Sequence, residues 1–173
     1  MESNAGTRDS RKHGWNKFEG LQYFYSIAGR DVEREIIPMA ADQNLAVMPW
    51  SPLAGGFLSG KYTREQTKSD GSRRDSFDFP PINKEKAYDI IDILLQIGKQ
   101  HNVSAAQVAL AWVRLQKHIT STIIGAKKPE QLKDNIASCE LKLSEEELKR
   151  LDEASALPKE YPGWMVERQS ADR

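Results

Sequence analysis

The chain has 173 residues, and its 25 basic and 25 acidic side chains leave no net field to draw it to nucleic acid or an anionic membrane. An apolar fraction of 39% beside a charged fraction of 29% suits one folded domain with a true core, and no apolar run approaches the ~20 residues of a membrane span. The single cysteine, Cys139, excludes an internal disulfide and a cysteine-rich metal site, and "MESNAGTRDSRKHGW" lacks the apolar centre of a signal peptide, so the expectation is a reducing, cytoplasmic setting.

In chain order, residues 1–17 are polar and aperiodic and are expected to be irregular. "FEGLQYFYSI" (Phe18–Ile27) is aromatic and β-prone and predicts a strand. Asp31 can cap a helix over Val32–Gln43, which Pro38 should kink or divide. "NLAVMPW" (Asn44–Trp50) is continuously apolar and predicts a strand buried on both faces. The polar connection Thr63–Asn83 is expected to be a mobile loop with Arg73 and Arg74 in solvent.

Helical period returns at 84–101, where Ala87, Ile90, Ile91, Leu94, Leu95 and Gly98 share a face. A second helix at 104–116 opens on a capping box of Ser104 and Gln107 and offers Val108, Leu110, Ala111, Trp112 and Leu115 for packing. "ITSTIIG" (Ile119–Gly125) predicts a third strand. Pro129 suits the first position of a helix to about Ser138, and Ser144 with Glu147 forms a capping box for the next. The tail, 157–173, is expected to be irregular, which leaves 18–156 as the structured body. Alternating strands and helices imply an α/β fold with parallel strands. Three parallel strands leave two unpaired edges, a sign that the chain is part of something larger, and self-association through those edges is an expectation.

Chemistry would sit at the strand ends. In "IIGAKKPEQLKDN", Gly125 and Ala126 turn without bulk, and Lys127 and Lys128 precede a helix start, where free amides, the dipole and two ammonium groups favour a phosphate. Gln131, Asp134 and Asn135 follow on its first turns. An ordinary solvated helix start accounts for the same residues. "WSPLAGG" repeats the logic at the preceding strand end: Ser51 offers a hydroxyl, Leu53 to Gly56 offer backbone amides, and Trp50 a stacking plane. Taken alone, that stretch is better explained by a plain glycine turn. Gln22 could meet an amide or simply face solvent. His13, His101 and His118 have no metal-ligand spacing and are expected at the surface, and Cys139, without a partner base, is expected to be buried filler.

The segments "HGWNKFEGLQYFYSIAGRDVEREIIPMA", "MPWSPLAGGFLSGKY", "VSAAQVALAWV", "TIIGAKKPEQLKDNI" and "EYPGWMVERQ" together run from about His13 to Arg168 and resemble the carboxy-terminal half of aldo-keto reductases, within the group that includes potassium-channel β-subunits. The resemblance implies a (β/α)8 barrel of which this chain holds a part, strands six to eight with their helices. It implies hydride transfer between NADPH and a carbonyl or alcohol. On it, Gln22 would meet the nicotinamide carboxamide and Trp50 would stack on the ring. Ser51, Pro52, Leu53, Gly55 and Gly56 would line the pyrophosphate with Lys61 nearby. Gly125, Ala126, Lys127, Gln131 and Asn135 would hold the adenosine and its 2′-phosphate, the lysines favouring NADPH over NADH.

The family's Asp, Tyr, Lys and His tetrad lies on early barrel strands, so no residue here is named as catalytic. Ser3 and Asn4 resemble a carboxamide-binding pair without the apolar strand that should precede it. The expectation is therefore the NADPH-binding part of a reductase, inactive alone, with a silent cofactor-binding or partner-dependent subunit and a non-functional truncated product as alternatives.

Overall fold

The sheet begins where aromatic and branched residues recur with the two-residue period of a strand. Two strands pair in parallel, β1 (Gly20–Phe24) and β2 (Ala46–Trp50), in the register Leu21↔Val47, Gln22↔Met48 and Phe24↔Trp50. The computed structural model describes residues 2–67, 74 and 77–171. Register partners share a face. Leu21 and Val47 are buried with Ala40 and Leu45, and Ile36, Met39 and Tyr23 pack against them. Gln22 on the other face is exposed, and Met48 is half-buried. Helices thus cover one face of this sheet and leave the other open, so the continuous apolar run of β2 is buried on one side only.

The crossover from β1 to β2 departs from the expected single helix. A 3-10 turn at Asp31–Glu33 is followed by α2 (Ile36–Asp42), and Pro38 lies in its first turn, where the missing N–H costs nothing. Asp31 does not cap it; its carboxylate pairs with Arg34. The 3-10 turn follows Arg30, which holds it through Glu33. That guanidinium donates to Glu33 from Nε (2.9 Å) and Nη2 (3.0 Å), and from Nη1 to Asp152 Oδ1 (2.9 Å) and Ser155 Oγ (2.7 Å). It lies 5.0 Å over the Trp112 ring, whose Nε1 also donates to Asp152 (3.2 Å). Tyr25 donates its hydroxyl to Glu33 at 2.5 Å, and burial, with that hydrogen bond, pushes the phenol well above its ordinary pKa. One half-buried cation so ties the exit of β1 to two distant helices.

The main core lies among α3 (Lys84–His101), α4 (Ala105–Leu115) and α6 (Glu145–Ser155). Asn83 caps α3 by accepting from Lys86 N (3.2 Å). Ala87, Ile90, Ile91, Leu94 and Gly98 are buried as the period predicted, together with Tyr88 and Ile97. Leu95 is exposed, because the buried stripe is centred one step away from it. Every residue of α4 from Ala105 to Val113 is buried, so this helix is wrapped on all sides, and only at its end does Leu115 reach solvent. Ser104 accepts from Gln107 N (3.1 Å), but the box is half-made: Gln107 Nε2 donates to Asp134 Oδ1 (2.6 Å) instead, and Ser104 Oγ to Oδ2 (2.6 Å). That carboxylate fastens α5 (Pro129–Ala137) to α4. The Ser144–Glu147 box is complete.

Four further expectations are corrected. The N-terminal segment forms a helix, α1 (Glu2–His13), rather than an irregular arm, and the tail forms α7 (Gly163–Ala171). Ser3 and Asn4 therefore belong to a helix and not to a strand end. Ile119–Gly125 is extended without forming a strand ladder. It still follows β2, with Thr120 N donating to Val47 O (2.9 Å) and Ile123 N to Pro49 O (2.8 Å). Both partners advance together, so the segment runs parallel to β2. Cys139 is exposed, since it sits in the turn after α5. Among the described residues no helix is long and apolar enough to cross a membrane.

Candidate functional site

The pairing just described finishes β2 and Ile119–Gly125 at the same end of the sheet, so the two stretches singled out in the sequence leave neighbouring strands side by side. After Trp50 the chain turns sharply. Ser51 (φ 53°), Ala54 (φ 49°), Gly55 (φ 67°), Gly56 (φ 91°) and Gly60 (φ 80°) all occupy left-handed backbone, around a 3-10 turn at Ala54–Ser59. Only at the glycines is that conformation free of side-chain cost. Ser51 repays its own strain by using Oγ to accept from Gly55 N (2.8 Å). Ala54 N donates to Ser51 O (2.8 Å) and Gly56 N to Leu53 O (2.9 Å). The loop is thus satisfied internally: the amides of 54 to 56, expected to be open to a ligand, are already bonded. Pro52 is buried, Leu53 and Gly56 are half-buried, and Gly55 and Lys61 are exposed.

Gly55 also has a second constraint. A Cβ there would stand 2.6 Å from Phe79 O and 3.1 Å from Arg74 Nη1. Arg74 is no surface residue, as the loop composition had suggested. It is 5% exposed and donates to Ala54 O (2.6 Å) and Pro80 O (2.9 Å), with its guanidinium 5.1 Å from the centre of the Phe57 ring. Asp78 pairs with it at 2.9 Å, and Lys84, at 2.6 Å, is the main cause that holds the Asp78 carboxyl below its usual range, with Arg74 adding. Arg74 therefore clips the stretch before α3 onto the glycine turn. Arg73 lies outside the described residues. The clip brings Phe79 onto Trp50, ring centroids 5.7 Å apart and 12° from parallel, and Trp50 also meets Phe24 at 5.4 Å.

The second stretch is open by contrast. Gly125, Ala126, Lys127 and Lys128 are exposed, and a Cβ on Gly125 would meet nothing within 4 Å. Lys127 N donates to Gln131 Oε1 (2.8 Å), which folds the lysine pair back over the start of α5. Lys128 stands at the N-cap of α5 without a side-chain cap, and Pro129 takes the first helical position. Asn135 is buried at the far end of the helix, away from solvent, in contrast to the exposed start. Gln22 stands exposed at the centre of β1, beside Met48.

Residues 3–156 match the aldo/keto reductase family. The chain belongs to that family. It is 38% identical over 149 residues to a putative aryl-alcohol dehydrogenase of Schizosaccharomyces pombe, an overlap of 83% of this chain and 40% of that protein. It is 33% identical over 144 residues to the probable aldo-keto reductase 1 of Glycine max, covering 83% and 42%. It is 29% identical over 153 residues to the versiconal hemiacetal acetate reductase of Aspergillus parasiticus, covering 88% and 44%. The chain so spans less than half the length of these relatives.

Family membership makes a (β/α)8 barrel the parent architecture, and the fit of these residues to a phosphorylated nucleotide can be tested on their own geometry. Gly56 and Gly125 leave a face of the backbone with nothing within 4 Å of a built Cβ, so another molecule can approach main chain at both strand ends. Lys61, Lys127 and Lys128 are exposed cations at the same two ends. The donor set fits. Sequence reasoning missed Arg74 and Phe79. The one signal for Arg74 was Asp78 four residues on, the spacing of a helical ion pair; nothing periodic marked Phe79. Among the described residues no cluster of His, Cys, Asp or Glu could hold a metal ion.

Proposed function

We propose that this chain is the cofactor-holding, carboxy-terminal part of an NADP(H)-dependent aldo/keto reductase barrel, strands six to eight with their helices. The observation that supports it most directly is the parallel run of Ile119–Gly125 along β2, through Thr120 N to Val47 O and Ile123 N to Pro49 O, which sets the two glycine-bearing exits next to one another. NADPH, when bound, supplies the hydride that reduces a carbonyl or is recovered from an alcohol. The chain's own residues bind and orient it. Gln22 meets the carboxamide, and Trp50 offers the plane for the nicotinamide. Ser51, Pro52, Leu53, Gly55 and Gly56 form the wall against the pyrophosphate, with Lys61 as its cation. Gly125 and Ala126 admit the adenosine, Lys127 faces the 2′-phosphate, and Gln131 holds the base side, while the burial of Asn135 takes it out of direct contact.

Since the amides of 54 to 56 are bonded within the turn, the wall acts through shape and through Lys61 more than through free N–H groups. The chain alone binds cofactor without turning over substrate, because no catalytic residue is assigned to it. The substrate is a small carbonyl or alcohol, and the working compartment is the cytoplasm.

The test is a fluorescence titration of the purified chain with NADPH, repeated with NADH. Saturable quenching that weakens in Trp50→Phe and is stronger for NADPH is expected, with no NADPH-dependent aldehyde reduction. Absence of saturable quenching below millimolar NADPH would sink the cofactor reading, and robust turnover surviving contaminant controls would sink the proposed inactivity.

A further inference from the structure

The plane that Trp50 offers is already taken by a ring of the chain itself. Phe79 lies on the indole with centroids 5.7 Å apart and planes 12° from parallel, an offset stack. Phe24 meets the same indole at 5.4 Å but at 41°, and Phe24 packs against the main core. Exposure orders the rings. Trp50 is half-buried, Phe79 is 45% exposed, and Phe77, tilted on Phe79 at 5.4 Å, is 53% exposed. Phe79 therefore covers the indole from the solvent side, the side from which a dissolved ligand arrives.

The backbone that carries Phe79 is held in place. Pro80 O accepts from Arg74 Nη2 (2.9 Å), and Asp78 pairs with Arg74 at 2.9 Å and with Lys84 at 2.6 Å. Phe79 N donates to Phe77 O (2.8 Å), and Phe79 O abuts the glycine turn, 2.6 Å from where a Cβ on Gly55 would stand. The side chain is held differently. A phenyl ring has no polar atom to anchor it, and rotation about χ1 carries it from one staggered well to another without moving the main chain.

From this geometry we infer that Phe79 is a specificity-determining residue of the cofactor site: its ring keeps the place of a planar ligand ring on Trp50 and swings off, on a stationary backbone, when a nicotinamide takes that place. This rests on the cofactor reading of Trp50. Breaking the Phe79–Trp50 stack costs free energy, and only a ligand that brings its own ring to Trp50 recovers it. A ligand with the phosphates and no nicotinamide engages the exposed Lys61 and Lys127 and leaves Phe79 where it is. A ring that merely supported Trp50 from behind would act in the opposite sense, since its loss would loosen the indole and weaken the cofactor.

The experiment is isothermal titration calorimetry of the purified chain with NADPH and, separately, with adenosine 2′,5′-bisphosphate, which keeps the 2′-phosphate and lacks the nicotinamide. Phe79→Ala is expected to bind NADPH about threefold to tenfold more tightly than the parent and to bind the bisphosphate within about twofold of it. Phe79→Leu, which keeps most of the volume and loses the aromatic face, should shift NADPH in the same direction by less. Phe18→Ala removes an exposed phenylalanine that precedes β1, at the opposite end of the sheet, and should change neither ligand. Far-ultraviolet circular dichroism checks that each variant folds. Binding of NADPH to Phe79→Ala but not to the parent would carry the inference as well. An NADPH affinity that falls or stays the same in Phe79→Ala, or a gain shared equally by the bisphosphate, would overturn it and leave the cofactor reading standing. Saturable binding of neither ligand to the parent or to any variant would remove the cofactor reading, and the inference with it.

Discussion

The two loops that leave neighbouring strands are built in opposite ways. The turn after β2 is closed upon itself: Ser51 holds Gly55, Gly56 holds Leu53, and Arg74 reaches in from the far side to hold Ala54 and Pro80. The stretch after Ile119–Gly125 is held by Lys127 N to Gln131 Oε1 and by the first bond of α5, Leu132 N to Lys128 O, and Gly125 before it faces open space. One loop is organised before any ligand arrives and contributes shape. The other carries exposed charge on a backbone that can still adjust. A cofactor that spans both would meet a rigid wall at one end and a cationic hand at the other, an arrangement in which the rigid part loses little entropy on binding and the flexible part supplies charge recognition.

Substitutions should separate the two loops cleanly. The largest effect is expected from Arg74→Ala, which strands two buried carbonyls and removes a cation from Phe57; a loss of about 3 kcal/mol in urea denaturation is expected, and Arg74→Lys should recover part of it. Next comes Gly55→Ala, which combines left-handed φ with a clash against Phe79 O and should cost about 2 kcal/mol, whereas Gly56→Ala, strained but in open space, should cost about 1 kcal/mol. If Gly55 and Gly56 prove equal, the clip by Arg74 is not what shapes the turn. Gly125→Ala should leave stability within about 0.5 kcal/mol of the parent. On the open loop, Lys127→Ala should be silent in unfolding yet weaken NADPH about tenfold, with a smaller change for NADH, as read by the fluorescence titration.

The smallest effect concerns helix starts. Ser144 caps α6 and Glu147 closes the box by accepting from Ser144 N, while Lys128 leaves α5 without a side-chain cap. Partial burial pushes the Glu147 carboxyl up, but the Ser144 N–H, His101 and the Ser144 hydroxyl outweigh it and hold the group below its usual range. Its folded pKa is depressed, so its contribution is full above the ordinary carboxylate range and is lost as pH falls through the folded value. A slight decline in melting temperature on acidification, reduced in Glu147→Gln, is the outcome expected.

How much was legible in advance depended on the range of the interaction. Ser104 and Ser144 at helix starts, Pro129 at a first position and the buried stripe of α3 follow from contacts within four residues, which periodicity and capping express directly. Leu95 and Leu115 were misassigned to the core because period locates a stripe but not its edges. Asp31 was misread because a short acidic residue suits a cap and an i,i+3 pair with arginine equally. α7 and α1 carry weak apolar patterns that composition alone reads as frayed chain.

The sequence by itself determined the four helices from α3 to α6, the two strands of the sheet, the two glycine-bearing exits and the family to which the chain belongs, because these rest on local spacing and short motifs. Only the tertiary structure decided that Arg74 is buried, that Phe79 lies on Trp50, and that Ile119–Gly125 follows β2 without a full ladder. Each of these depends on atoms brought together across long separations in the chain, and a residue's identity does not state which distant carbonyl, ring or edge the fold will set beside it.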